Sequence, residues 1–308
     1  MNAKVVVVGS LNMDLVVRAQ RLPRAGETLP GDSFFTVPGG KGANQAGAVA
    51  RLGGSVAMIG NVGDDDYGRQ LHRALYVEGI DCQGVSTCPG TSSGVALITV
   101  DAASQNCIVI IPGANGLLTP QSVLRFDALL QAAEVVICQL EVPTDTVACT
   151  LARARELGKQ VILNPAPATG PLPADWFAHI DYLTPNESEA EALTGVAVTD
   201  QDSARRAGER LLQLGAGKVI ITLGAQGALL VTAQGHQHYP APRVQPLDTT
   251  AAGDTFIGGF AAALVRGLKE GEAIAFGQRA AALSVTRAGA QPSIPYLAEL
   301  TPCLLYTS

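Results

Sequence analysis

The run Val135-Val136-Ile137-Cys138-Gln139-Leu140-Glu141, then Thr144-Asp145-Thr146-Val147-Ala148-Cys149-Thr150-Leu151, then Val161-Ile162-Leu163-Asn164, decides the fold class. Residues 135–140 form an apolar, β-branched run interrupted only by Gln139, which suits a strand buried on both faces. Residues 144–157 read as an amphipathic helix, and 161–163 resume the apolar strand. The same alternation recurs outside this window. Strands are expected at 5–8, 56–59, 182–183 and 219–223, and helices at 42–52, 67–78 and 203–214. Strands alternating with helices predict a three-layer α/β/α protein with a mostly parallel sheet. In such folds ligands sit beyond the carboxyl ends of the strands. Residues that follow strand runs are therefore the first candidates: Asp14, Glu141, Asn164, Asn186 and Gly224.

Two segments break the rhythm. Residues 15–37 and 93–111 hold short strand-like runs with no helix between them, as in Gly94-Val95-Ala96-Leu97-Ile98-Thr99 and Cys107-Ile108-Val109-Ile110-Ile111. Each reads as a β-hairpin, and the two together as a small sheet projecting from the main layer as a lid. The expected division is a core of 1–14, 38–92 and 112–300, a lid of 15–37 and 93–111, and an atypical tail at 301–308. An exposed sheet needs covering, and pairing with a second copy, a homodimer, is one way to cover it.

Composition narrows the function classes. The 308 residues are 47% hydrophobic and 16% charged, enough for a sizeable buried core, and the net charge of −6 argues against a general nucleic-acid binder. No window has the ~20 mostly apolar residues of a membrane span. The chain runs from Met1-Asn2-Ala3-Lys4 straight into Val5–Val8, unlike a signal sequence. The six cysteines are scattered without a C-x-x-C pair, so reduced thiols and a cytoplasmic location are expected.

The segment Asp248-Thr249-Thr250-Ala251-Ala252-Gly253-Asp254-Thr255-Phe256-Ile257-Gly258-Gly259-Phe260-Ala261 carries the most chemistry. Small residues at 251–253 let main-chain N–H groups close on an anion, and the helix that follows adds free donors and a partial positive charge. Asp254 is then either a helix N-cap or a general base. A second acid six residues upstream, with only small or hydroxyl residues between, is not explained by capping alone. Elsewhere, Asn186 and Glu189 sit three apart at a helix start, which fits a capping box as well as a ligand site. Lys41 in Gly39-Gly40-Lys41-Gly42 lacks the spacing of a P-loop. His236 and His238 read as an exposed pair, and His72 and His179 as surface residues.

This segment resembles the C-terminal motif of the ribokinase (PfkB) family of sugar kinases, and Pro38-Gly39-Gly40-Lys41-Gly42-Ala43-Asn44-Gln45-Ala46 is similar to its N-terminal motif. Further similarity lies at Gly9-Ser10-Leu11-Asn12-Met13-Asp14, Gln139-Leu140-Glu141, Asn164-Pro165-Ala166-Pro167, Thr184-Pro185-Asn186-Glu187-Ser188-Glu189, Ile221-Thr222-Leu223-Gly224 and Gly289-Ala290-Gln291-Pro292-Ser293. The resemblance spans residues 4–297 in order. It implies transfer of the γ-phosphoryl group of ATP to the 5-hydroxyl of D-ribose, with Mg²⁺ and activation by K⁺. The alternatives are a kinase for 2-deoxyribose or a nucleoside, and a sugar sensor without catalysis.

The resemblance also implies roles. Asp254 would be the base, with Ala251, Ala252 and Gly253 forming the anion hole. The sugar would be held by Asn12, Asp14, Gly40, Lys41, Gly42, Ala43, Asn44 and Glu141. Helix-surface polarity for Asn44 and Gln45, and a solvated strand end for Glu141, remain the plainer readings of those residues. Asn186 and Glu189 would serve Mg²⁺ and the phosphates. Thr222, Leu223, Gly224, Ala225, Gln226 and Gly227 would line the nucleotide, with Gln278 near the base. K⁺ would lie among Asp248 and the carbonyls of Thr250, Ser284, Arg287 and Gly289, with Ser293 close by. Ile257 departs from the polar residue common at that place, and the tail from Thr301 does not continue the charged helix expected of the family.

Overall fold

The protein is described by a computed structural model over residues 3–103, 105–168 and 170–300; the tail from Thr301 lies outside the described residues. The strands are β1 (Val5–Val8), β2 (Asn12–Arg18), β3 (Ser33–Gly39), β4 (Val56–Gly63), β5 (Asp81–Cys88), β6 (Gly94–Val100), β7 (Asn106–Ile111), β8 (Val135–Cys138), β9 (Gln160–Leu163), β10 (Tyr182–Leu183), β11 (Lys218–Thr222), β12 (Ala228–Thr232) and β13 (Gly235–Tyr239). The α-helices are α1 (Lys41–Arg51), α2 (Asp66–Val77), α3 (Pro120–Leu124), α4 (Asp127–Ala132), α5 (Thr144–Glu156), α6 (Glu187–Thr194), α7 (Gln201–Gln213), α8 (Ala252–Val265), α9 (Glu270–Ser284) and α10 (Leu297–Leu300).

One sheet has nine strands in the order β13-β12-β11-β10-β9-β8-β1-β4-β5. Pairing is parallel from β5 across to β11, and only the β12–β13 edge runs antiparallel. Alternate residues along each strand enter two separate cores, as period-two side chains must. Val5, Val7, Met58, Ile137 and Ile220 pack with Phe256, Phe260 and Ile274 under α1, α2, α8 and α9. Val6, Val8, Ile59, Val136 and Ile221 pack with Val147, Leu151, Leu193 and Leu211 on the other face, under α3 to α7. Three layers follow directly from these two-faced apolar strands.

A second sheet has four strands in the order β3-β2-β6-β7. Its β2–β3 and β6–β7 pairs are antiparallel hairpins, joined through a parallel β2–β6 ladder. This sheet begins at Asn12 and takes in Gly39, so residues 12–14 and 38–39 belong to it rather than to the core. Strand β5 has no apolar run to reveal it; it is an edge strand reading Asp-Cys-Gln-Gly-Val-Ser-Thr-Cys. Strand β8 stops at Cys138, and residues 139–141 leave the sheet as a loop.

Strand β1 lies between β4 and β8, and the chain builds outward from it in both directions. The carboxyl ends of β1 and β8 therefore flank a point where the strand order reverses, the usual ligand crevice of an open parallel sheet. The loops that follow them carry Ser10–Asn12 and Gln139–Glu141, and these loops touch.

Candidate active site

Asp254 sits in the first turn of α8 as its third residue, not at the cap; the cap is Ala251. Ala251 takes a left-handed backbone at φ 57°, which a residue with a Cβ adopts only at a cost of about 1 kcal/mol or more. Left-handed Ala251 followed by helical Ala252 turns successive N–H groups to one side, an anion-binding nest. Ala252 N–H bonds the Thr249 carbonyl at 3.2 Å, so it is not part of the hole. The N–H groups of Ala251, Gly253 and Asp254 have no acceptor among the described residues. A Cβ added to Gly253 would meet open space, so no crowding within the chain requires glycine there.

The Asp254 carboxylate is buried and held from α1. Asn44 Nδ2 donates to Oδ2 at 3.0 Å and Gln45 Nε2 to Oδ1 at 2.9 Å. Gln45 is fully buried; its Nε2 also reaches Asn164 Oδ1 at 3.1 Å, and its Oε1 accepts from Gln139 at 2.6 Å. Surface polarity is therefore the wrong account of Asn44 and Gln45. They fix the orientation of the one carboxylate next to the open amides. Asn44 Oδ1 is buried with no protein partner and remains free for a ligand hydroxyl.

Glu141 is no solvated strand end. Its Oε2 accepts from Ser10 Oγ at 2.5 Å and from the Lys41 N–H at 3.1 Å, capping α1 from across the switch point. Gly40 needs its glycine: φ is 90°, and a Cβ would come within 2.7 Å of the Asn12 nitrogen. Asp14 is 8% exposed and folds over Gly39, where a Cβ would meet its carboxylate at 2.3 Å.

A cleft of about 200 Å³ opens on the other side of Asp254. Lys41, Asn164, Asn186, Glu189, Thr222, Ala251, Ala252, Gly253 and Asp254 line it, together with Thr184, Thr249 and Ile257. Lys41 thus shares a cleft with Asn186, Glu189 and Thr222, while Asn12, Asp14 and Glu141 lie at the root of the small sheet. Burial opposes the Lys41 charge, but Asp254, Glu141 and Glu189 more than offset it and hold the ammonium above its ordinary range. Asn186 and Glu189 do form a capping box, with both bonds at 2.8 Å. They also line the cleft, so the two readings coexist. Burial raises the Glu189 carboxyl, while the Asn186 N–H and Lys41 counter it.

Other expected site residues sit apart. Among 222–227 only Thr222 lines the cleft, and the Leu223 side chain is buried in the core. Gly224, Ala225 and Gln226 are exposed beyond it, and Gly227 is buried against Tyr239, with His238 Nε2 2.7 Å from the Gln226 carbonyl. Gln278 is buried and donates to the Tyr239 carbonyl at 2.8 Å, pinning β13 to α9. Asp248 joins two loops, accepting from Thr250 N–H at 2.9 Å and Gly289 N–H at 2.8 Å. Ser293 Oγ is spent on the Ala290 carbonyl at 2.7 Å, and the Ser284 carbonyl accepts the Arg287 N–H at 3.0 Å.

Asp14 yields a prediction. Burial first, then Glu141 and Asp254, push its carboxyl from 3.8 up to about 7. Between those values the folded chain keeps a proton that the unfolded chain has lost, so stability falls as pH rises through the window and stays low above it. Asp14→Asn cannot ionise. It is expected to stabilise the sugar-free protein by about 2–4 kcal/mol at pH 8 and to match native protein near pH 4. Thermal melting at the two pH values measures this; no gain at pH 8 contradicts it.

A main-chain nest, a fixed carboxylate and a half-buried ammonium on one side, with a polar root for a polyol on the other, fit a phosphotransferase acting on a hydroxyl. The profile of the pfkB family of carbohydrate kinases matches residues 2–297. A ribokinase of Haemophilus influenzae is 43% identical over 96% of this chain and 96% of its own. A deoxyribokinase of Salmonella typhi is 40% identical over 97% and 98%. The structure of Arabidopsis thaliana ribokinase complexed with ribose and ATP superposes with a TM-score of 0.92 at 32% identity, covering 100% of both chains. This chain belongs to the pfkB family of carbohydrate kinases.

Proposed function

We propose that this protein phosphorylates D-ribose at its 5-hydroxyl, using ATP and giving D-ribose 5-phosphate and ADP. The observation that carries this reading is Asp254, gripped by Asn44 and Gln45 beside the unpaired N–H groups of 251, 253 and 254. As base, Asp254 takes the hydroxyl proton while that oxygen attacks the γ-phosphorus and the bond to the β–γ bridging oxygen breaks. The open amides stabilise charge on the transferring group, and Lys41 neutralises the phosphates from the cleft wall. Asn12, Asp14, Asn44 and Glu141 supply the paired donors and acceptors a polyol requires.

Mg²⁺ fits the Asn186–Glu189 end, where Glu189 Oε1 has no protein partner among the described residues; when bound it neutralises the phosphate oxygens. For K⁺, no group of three or more His, Cys, Asp or Glu among the described residues could hold a metal ion. The Asp248 loops instead offer one carboxylate with main-chain carbonyls, the hard-oxygen set a monovalent cation takes. Phe34, Leu97 and Val109 on one face of the small sheet, and Phe35, Ile108 and Ile110 on the other, are all exposed. We read this sheet as a lid over the sugar and as the face that a second copy covers. A cytoplasmic setting agrees with the free cysteines at 82, 88, 107, 138 and 149. No helix among the described residues is long and apolar enough to cross a membrane.

The deoxyribokinase relative makes 2-deoxyribose the competing acceptor. A site whose buried polar groups bind a 2-hydroxyl rejects the sugar that lacks it. We expect ADP release with ribose at a kcat/KM at least ~10²-fold above that with deoxyribose, rising when K⁺ replaces tetramethylammonium, from a species that light scattering weighs as a dimer. Preference for deoxyribose would move the assignment to that sugar. Indifference to K⁺, or a monomer, would remove the cation or the pairing.

A further inference from the structure

We infer that Asn115 is a positioning residue for the sugar site: it fixes which end of the Asn12 amide faces the ligand. This rests on the reading that a sugar sits at Asn12 and Asp14. Asn115 lies in Pro112-Gly113-Ala114-Asn115-Gly116, directly after β7, and is 1% exposed. Its Oδ1 accepts the Leu11 N–H at 2.9 Å, and its Nδ2 donates to the Leu11 carbonyl at 3.0 Å and to Asn12 Oδ1 at 2.8 Å. Both N–H donors are thereby used, and they all act on the two residues where the chain enters the small sheet.

The consequence for Asn12 is a matter of polarity. Its Oδ1 is occupied by a donor, so its NH₂ end is turned to the other side, where no described residue accepts from it. Asn12 is 3% exposed, and its amide cannot reorient freely in so closed a place. The sugar site is then a fixed donor from Asn12 beside acceptors from Asp14 two residues on, along the same face of β2. A hydroxyl that accepts from one and donates to the other is bound in one orientation, whereas an amide with its oxygen outward would set two acceptors side by side.

Gly94 supports the same conclusion independently. It pairs with Asn12 across the β2–β6 ladder, and a Cβ there would stand 2.2 Å from Asn115 Nδ2 and 2.3 Å from Asn12 Oδ1. Even one methyl group would displace the bonded pair. Entry strand, ladder partner and exit turn of the small sheet thus meet at one amide–amide hydrogen bond, and the position of the sheet is tied to the polarity of the sugar site.

The test is a double-mutant cycle on ribose KM with the full chain. Asn115→Ser is expected to raise ribose KM about 30-fold, since the freed Asn12 amide presents a mixture of ends and a buried polar group loses its partner. ATP KM should stay within about twofold. In an Asn12→Ala background the same change should add less than about threefold, because nothing remains to be oriented. Gly94→Ala, which removes no polar group, should reproduce the selective KM rise if Asn115→Ser proves too unstable to assay. A ribose KM within threefold of native in either variant overturns the inference, as does a penalty that persists in full without the Asn12 amide. Absence of ribose turnover in the native protein would instead defeat the function proposed above, an outcome read separately.

Discussion

Asp254→Asn is expected to lower kcat for ribose by about 10³-fold, the usual scale for losing a positioned general base, while sugar affinity changes only a few-fold. The substitution keeps the shape of the side chain but gives it a donor where it now only accepts. One of the bonds from Asn44 Nδ2 and Gln45 Nε2 would then face a second N–H, so a small rearrangement within the first turn of α8 is part of the expectation. The sugar-holding groups at the root of the small sheet are not reached by that change. Folding should survive, because a buried negative charge is removed from the neighbourhood of Asp14 and Glu189, both of which feel it. Rapid-quench measurement of ADP formation, paired with calorimetric titration of ribose, separates the two quantities. A variant within tenfold of native turnover ends the base assignment.

The fold was legible because its strands are buried twice over. Val5–Val8 and Val135–Cys138 feed alternate side chains into two different cores, and a strand under that demand has to be apolar throughout. Asp81–Cys88 escaped because it sits at the sheet edge, where one flank needs no apolar partner and the sequence reads like a loop. Boundaries failed where polar residues take over: Gln139 is fully buried, yet it serves Gln45 rather than a ladder.

The residues proposed to react were legible for a related reason. An anion nest and its acid must be contiguous, so 251–254 lie in one short window, as do 40–45. The residues that hold them in place were not. Gln139 reaches Gln45 across 94 positions, Gln45 reaches Asn164 across 119, and Asn115 reaches Asn12 across 103. No spacing rule links amides that far apart, and an amide in a loop motif looks like turn chemistry until its partner is seen. The motif groups Lys41 with the proposed sugar residues; its N–H bonds Glu141, while its side chain lines the wall of the cleft shared with Asn186 and Glu189.

That wall makes Lys41→Met the second large effect. The ammonium is pulled down by burial yet ends above its ordinary range, so attraction by Asp254, Glu141 and Glu189 exceeds the desolvation cost. The raised value means that Lys41 contributes stability at every pH below its unfolded pKa, and its removal should lower the melting temperature across the neutral range. Function should suffer far more. The cleft would keep two carboxylates, Glu189 and Asp254, facing a polyphosphate with its lining cation gone, and the transferring group would lose a charge partner. We expect kcat/KM for ATP to fall by about 10²–10³-fold, the scale set by a lost charge stabiliser in phosphoryl transfer, with ribose KM within a few-fold of native. Extra Mg²⁺ should recover part of the ATP term, since a diffusible cation can neutralise phosphate but cannot replace a charge fixed on α1. Should the change instead fall on ribose KM with ATP untouched, the side chain works on the sugar and the wall has been read the wrong way round.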